Sequence, residues 1–409
     1  MPLFNIIAIL ITLSAIFAYV NHRFIGLPSK TGIMLISLAV STALIFMGHW
    51  GIGVKREGVF LVSHIDFNEA LLVGMLGFLL FAGALHVDIN DLLEHKWKIA
   101  IFSTVGVILS TLLIGTLMYF VLGLLGLEVR YIYCLLFGAI ISPTDPISVL
   151  GILREAGAPK NLQVNITGES LFNDGIGVVV FIILLGIAKG EHQPTIGEVS
   201  LLFAEEAAGG FAFGLLLGWC AYLILKSVDN YQVEILVTLA LVTGGYALAL
   251  GMHMSGPIAM VVAGLLIGNR GRTFAMSDRT RERLDTFWEL VDEILNSILF
   301  VLMGLELLAV RLTGLYLLAG AIAIPVALFS RFLSIGAPVV LLRLKDLGPD
   351  SLKVMTWGGL RGGIALALAL SLPGEYERPV ILAMTYSIVV FSIVVQGLTI
   401  KRMFKSNIG

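Results

Sequence analysis

Apolar segments of membrane-spanning length follow one another along nearly the whole of this chain, and that feature leaves few folds open to it. A helical crossing needs about 20 predominantly apolar residues, and about thirteen such segments can be marked. They centre near 3–20, 32–49, 70–86, 99–125, 131–152, 168–188, 199–225, 232–250, 255–269, 286–310, 313–342, 354–371 and 379–400, the split between 232 and 269 resting on GMHMSG alone. Backbone amides in hydrocarbon must be satisfied within the protein, which leaves helices or closed barrels. These segments are too long and too evenly apolar for barrel strands, which alternate and run about ten residues. With 58% hydrophobic and 13% charged residues and a mean hydropathy of +0.97, the chain lies far from soluble domains, of which about a quarter is charged. An all-α polytopic membrane protein follows. Its loops are short, so residues 1–409 read as one transmembrane domain with no soluble C-terminal regulatory domain.

Lys and Arg set the orientation, because cytoplasmic loops hold the excess. A cytoplasmic C-terminus puts Lys96, Lys98, Arg154, Lys160, Lys226, Arg270, Arg272 and Lys353 inside with many others, and leaves Lys55, Arg56, Arg130, Lys189, Arg311 and Arg378 opposite them. An odd number of crossings then places the N-terminus outside. The first apolar segment has neither a basic leader nor a cleavage site and is expected to stay as a helix. Cys134 and Cys220 both fall within spans, so no disulfide framework or CxxC metal site is expected. No nucleotide-binding motif appears, and no basic patch suggests nucleic acid. The partners expected are the lipid bilayer and small ions, with no cofactor.

Ionisable groups at mid-membrane are costly, and they usually line a pathway or pair with one another. Two such places stand out. In ISPTDPISVL, Pro143 and Pro146 have no N–H and so orphan the carbonyls of Ala139 and Ser142; Ser142 and Asp145, each preceding a proline, are pushed out of helical dihedrals. The fifth span is therefore expected to break, as helices that build ion sites do. Asp145 reads either as the N-cap of the second half-helix or as a direct ion ligand, and Thr144 as a neighbouring ligand. In GESLFNDGIGVVVFIILL, Glu169 and Asn173 share a helical face, with Asp174 about 100° further round. Either these residues form a wet helix entry, or Asp174 is a carboxylate that holds a proton or a small cation in turn. The basic counterparts are distant: Arg331 has no local acid at helical spacing, which makes Glu169 its best partner. Arg361 sits among Gly358, Gly359, Gly362 and Gly363, which mark either close helix approach or a second broken helix, seven spans after the first. Matching interruptions of this kind point to an inverted-repeat transporter. Glu289, Asp292 and Glu293 read as first-turn acids that counter a helix dipole, and His86 and His253 as solvated interfacial histidines.

At SPTDP, GESLFNDGIGVVVF and WGGLRGGIALALAL, supported by LFAGALHVDI and FVLMGLELL, the chain resembles the monovalent cation/proton antiporters of the sodium/hydrogen exchanger family, bacterial NhaP type, over nearly its whole length. The resemblance implies a thirteen-helix antiporter fold of two inverted repeats with crossed discontinuous helices 5 and 12. It also implies a core subdomain (about 70–188 and 313–400), a dimerisation scaffold (about 1–49 and 199–310), a homodimer, and an elevator-like movement. Asp174 would match the family's ion- and proton-binding aspartate, Asn173 its neighbour, Thr144 and Asp145 the broken-helix residues and Ser170 a further ligand. Glu169 would match the acid of a core salt bridge, with Arg331 assigned and Arg361 second. Electrogenic relatives place two adjacent aspartates where this chain has Asn173 and Asp174, and a lysine where it has Arg331. One exchangeable carboxylate beside an arginine that keeps its proton implies one cation per proton. The expected function is Na⁺ (also Li⁺) exchange for H⁺ across a bacterial inner membrane, serving intracellular pH and sodium homeostasis. A K⁺/H⁺ antiporter or a cation channel is the alternative. No filter repeat favours the channel. An organic-anion carrier would need net positive charge at the site, and a membrane enzyme would need a nucleophile and base or metal spacing.

Overall fold

The structure is a computed structural model that describes residues 3–49, 74–145, 158–191, 195–306, 313–342, 349–373 and 377–400. Among these residues every regular element is helical. Helix α1 (Leu3–Val20) runs through a π-turn into α2 (Ser29–His49). Then come α3 (Leu76–Leu85), the short α4 (Ile89–Glu94), α5 (Lys96–Leu124) and α6 (Tyr131–Ile141). The middle of the chain forms α7 (Lys160–Lys189), α8 (Ile196–Ser227), α9 (Tyr231–Gly251), α10 (Gly256–Leu266) and α11 (Asp278–Glu306). The last elements are α12 (Gly314–Leu341), α13 (Pro349–Trp357), α14 (Gly363–Leu370) and α15 (Glu377–Phe391), which continues through a π-turn to Gln396. Every apolar segment marked in the sequence contains a helix, and seven of the described helices are long and apolar enough to cross a membrane.

Local chemistry sets the helix ends. Orphan N–H groups at a helix start need an acceptor, and the side chains of Asp88, Thr195, Asn230, Ser255 and Thr313 accept from the first turns of α4, α8, α9, α10 and α12. The uncertain GMHMSG junction is a real turn. His253 there takes a left-handed φ of 55°, Ser255 caps α10, and Pro257 occupies its first turn, where a missing N–H costs nothing.

Packing sorts the helices into two groups. In one, α5 packs on α6, α7 and α12, and α12 packs on α15; in the other, α10 packs on α3, α8 and α9, and α11 on α1 and α2. Helix α3 lies inside the 70–188 stretch expected for the first group, yet it packs mainly on α10 and α11. Close approach explains this: Gly264 of α10 faces the Phe81 carbonyl and Ala84, and Gly268 faces the Leu85 carbonyl, with no room for a side chain at either glycine. Many large apolar side chains remain exposed on the outer faces, among them Phe4, Ile11, Phe120 and Leu236, as a lipid-facing surface requires.

Candidate ion-binding site

Helix α6 stops where the prolines require. The Ser142 N–H makes the last helical bond, to the Gly138 carbonyl at 2.9 Å, and Pro143, Thr144 and Asp145 carry no regular structure. Pro146 and the half-helix that Asp145 was expected to cap lie outside the described residues. The twelfth span is also broken: α13 ends at Trp357, and α14 begins at Gly363.

The two breaks cross. The Asp145 N–H donates to the Leu360 carbonyl at 2.8 Å, a backbone bond between the two interruptions. Arg361 donates to the Ser142 carbonyl at 2.6 Å and also to the Pro143 carbonyl. Its partners are thus backbone acceptors at the end of α6, one of them the carbonyl that Pro146 orphans. A cation at this helix C-terminus also meets the negative end of the helix dipole. The Arg361 N–H in turn donates to Ser392 Oγ at 2.8 Å. Both readings of the glycines apply. Residues 358–362 form the break, while Gly359 lies against Arg331 and Thr144, Gly362 against Asp145 and Gly363 against Leu299 of α11. From α7, Gly177 admits the Pro143 ring, and a Cβ there would collide with it.

Helix α7 brings the acids to this crossing, well inside the helix and away from its wet end. Glu169 and Asn173 are fully buried, and Asp174 is 7% exposed. Glu169 forms an ion pair with Arg331 of α12, both side chains buried. Thr144 ties the first break to α7: its N–H donates to Asn173 Oδ1 at 3.2 Å, and its hydroxyl lies 2.9 Å from both Ser170 Oγ and Asn173 Nδ2. Asp145 and Arg361 stand near enough to act electrostatically on Asp174. Of the residues singled out in the sequence, Thr144, Asp145, Glu169, Ser170, Asn173, Asp174, Arg331 and Arg361 converge here.

A cavity of about 820 Å³ leads to this cluster. One wall is a single face of α7, with Lys160, Gln163, Thr167, Leu171 and Asp174 at helical spacing; Asp145 and Gly362 from the breaks join it. The facing wall is a stripe of α11, including Glu289, Asp292, Asn296 and Phe300. That stripe corrects the sequence reading. Helix α11 begins at Asp278, eight residues before the expected start, so Glu289, Asp292 and Glu293 lie several turns into it and border the cavity. The signal was available in RTRERLDTFWELVDEIL, whose apolar residues recur at helical spacing before the membrane-length run begins. His86 sits at the mouth, its Nε2 3.8 Å from carboxylates of both Asp285 and Glu289.

Two interrupted helices that cross beside a buried carboxylate, at the end of a cavity whose charged lining residues are mostly acids, define a polytopic membrane protein of transporter architecture. Comparison with known proteins is specific. The family described as sodium/hydrogen exchanger, transmembrane, matches residues 9–406, and the chain belongs to that family. It is 48% identical over 402 residues to the Na(+)/H(+) antiporter NhaP of Pseudomonas aeruginosa, covering 97% of this chain and 95% of that one. It is 34% identical over 386 residues to the Na(+)/H(+) antiporter NhaH of Halobacillus aidingensis, covering 92% and 91%. Its fold matches that of the sodium proton antiporter MjNhaP1 from Methanocaldococcus jannaschii with a TM-score of 0.80 over 100% of both chains, at 19% identity.

Proposed function

We propose that this protein is a secondary antiporter that exchanges Na⁺, and also Li⁺, for H⁺, with the two ions competing for Asp174. The observation that carries the reading is the position of Asp174: a buried carboxylate at the crossing of both breaks that still borders the cavity. Thr144 and Ser170 supply hydroxyl oxygens in the same buried cluster, and Asn173 orients Thr144. Hard oxygen donors of this kind suit a small cation.

Charge counting favours one-for-one exchange. The cluster holds three carboxylates, Asp145, Glu169 and Asp174, and two guanidiniums, Arg331 and Arg361. Three minus two leaves one negative charge, which one proton or one monovalent cation balances. Swapping them moves no net charge, so the membrane potential, at about 2.3 kcal/mol per net charge per 100 mV, contributes nothing. The drive is then the proton gradient, about 1.4 kcal/mol per pH unit, or the opposing cation gradient.

The acids of the cavity wall support cation over anion transport by raising the local cation concentration. The packing groups supply the moving parts: a core of α5–α7 and α12–α15 sliding on a scaffold of α1–α3 and α8–α11, with two copies joined through their scaffolds. The positive-inside bias supports an N-terminus outside and a cytoplasmic C-terminus in a bacterial inner membrane, with the cavity opening on the cytoplasmic side, where Lys160 sits. The test is reconstitution into proteoliposomes with a pH-sensitive dye, adding Na⁺, Li⁺ or K⁺ in turn. Na⁺ is expected to trigger proton movement in wild type and none in Asp174→Asn. Exchange retained by the variant would overturn the mechanism. A response to K⁺ alone would favour the K⁺/H⁺ reading, and ion flux without proton movement the channel.

A further inference from the structure

The cavity wall on α11 carries polar groups that the exchange site itself does not use. Asn296 is 7% exposed, and its Nδ2 donates to Asp292 twice, to the backbone carbonyl at 2.8 Å and to Oδ1 at 2.9 Å. The second bond helps to hold the Asp292 carboxylate in one rotamer. Both residues border the same cavity as Asp174.

Their depth follows from helix geometry. Leu299 of α11 touches Gly363, the first residue after the second break, next to the Gly362 that packs on Asp145. Leu299 therefore marks the level of the crossing. Asp292 lies seven residues before it, two turns back on the same face and about 10 Å nearer the mouth at 1.5 Å per residue. Beyond it, Glu289 faces His86 at the entrance. A cation entering the cavity thus meets the Asp292 carboxylate before it reaches Asp174.

We propose that Asp292, held in place by Asn296, is a cation station on the path to Asp174 and sets the apparent cation affinity of exchange; this rests on the antiport reading above. Asn296 acts as a positioning residue and Asp292 as the group that meets the ion. Glu293, the next residue, is exposed and shares the general field of the wall without the bond to Asn296. It is the control for non-specific charge.

The experiment is a Na⁺ titration of exchange in proteoliposomes at fixed pH and low ionic strength, for wild type, Asp292→Asn, Asp292→Glu, Asn296→Ala and Glu293→Gln. Asp292→Asn is expected to raise the KM for Na⁺ about three- to tenfold, the size of a unit-charge interaction over about 10 Å in partly aqueous surroundings, with the maximal rate close to wild type. Asn296→Ala should raise KM in the same direction by less, and Asp292→Glu should restore most of the affinity. A KM unchanged in Asp292→Asn, a lowered maximal rate at constant KM, or an equal shift in Glu293→Gln would each overturn the station. Wild type that moves no protons would instead refute the antiport reading, and the station with it.

Discussion

Arg331→Ala should damage the protein through Glu169, and the structure lets the size of the loss be worked out. Glu169 is 0% exposed and Arg331 6%, so deleting the guanidinium strands a charge in the interior, which costs about 3–5 kcal/mol when one partner of a buried pair is removed. The pair is also incompletely satisfied: Glu169 Oε2 and Arg331 Nε find no hydrogen-bond partner among the described residues. Its net worth relative to well-packed apolar side chains is therefore small, even though breaking it is costly. The double variant Glu169→Leu with Arg331→Met should then recover most of the stability lost by Arg331→Ala. The assay is the thermal unfolding of detergent-solubilised protein. At about 2–4 °C per kcal/mol for mid-sized domains, the single variant should melt about 5 °C or more below wild type. If Arg331→Ala melts with wild type, or the double variant melts no higher than the single, the reasoning from a stranded buried charge is wrong.

Three other changes probe the crossing. Arg361→Gln removes the cation from the end of α6; with hydrogen bonds to charged groups worth about 1.5–3 kcal/mol each, proteoliposome exchange should fall at least about tenfold, and a rate near wild type would argue that the break holds itself. Gly177→Ala drives a methyl into the Pro143 ring, so exchange should drop more than stability does, as read by transport and melting side by side. Gly138→Ala meets the Thr111 backbone, which cannot move as a side chain can; overpacking of about 1–3 kcal/mol should appear as lower Tm and lower yield of monodisperse protein.

Both helix breaks were legible in the sequence because prolines, glycines and charges at mid-span contradict everything around them. Glu169 and Arg331 could be paired at a distance because each lacked a local partner. The role of Arg361 was not legible. Its acceptors are backbone carbonyls 219 and 218 residues away, and backbone carries no residue identity to match. Asp292 and its neighbours were misplaced because α11 starts in a charged amphipathic stretch that hydropathy alone counts as loop. The packing of α3 was hidden for the opposite reason: it is apolar on all sides, so no face announces a partner, and only the small residues Gly264 of α10 and Gly268 just beyond its end decide it.

The central claim is that one carboxylate, Asp174, holds a proton or a cation but not both. It is tested most directly by adding Na⁺ to the solubilised protein in weakly buffered solution, with no membrane and no gradient, and measuring protons released per chain. Competition at Asp174 predicts saturable release approaching one proton per chain from wild type and none from Asp174→Asn. Equal release from both, or none from wild type across the range of pH at which it exchanges, would contradict the account.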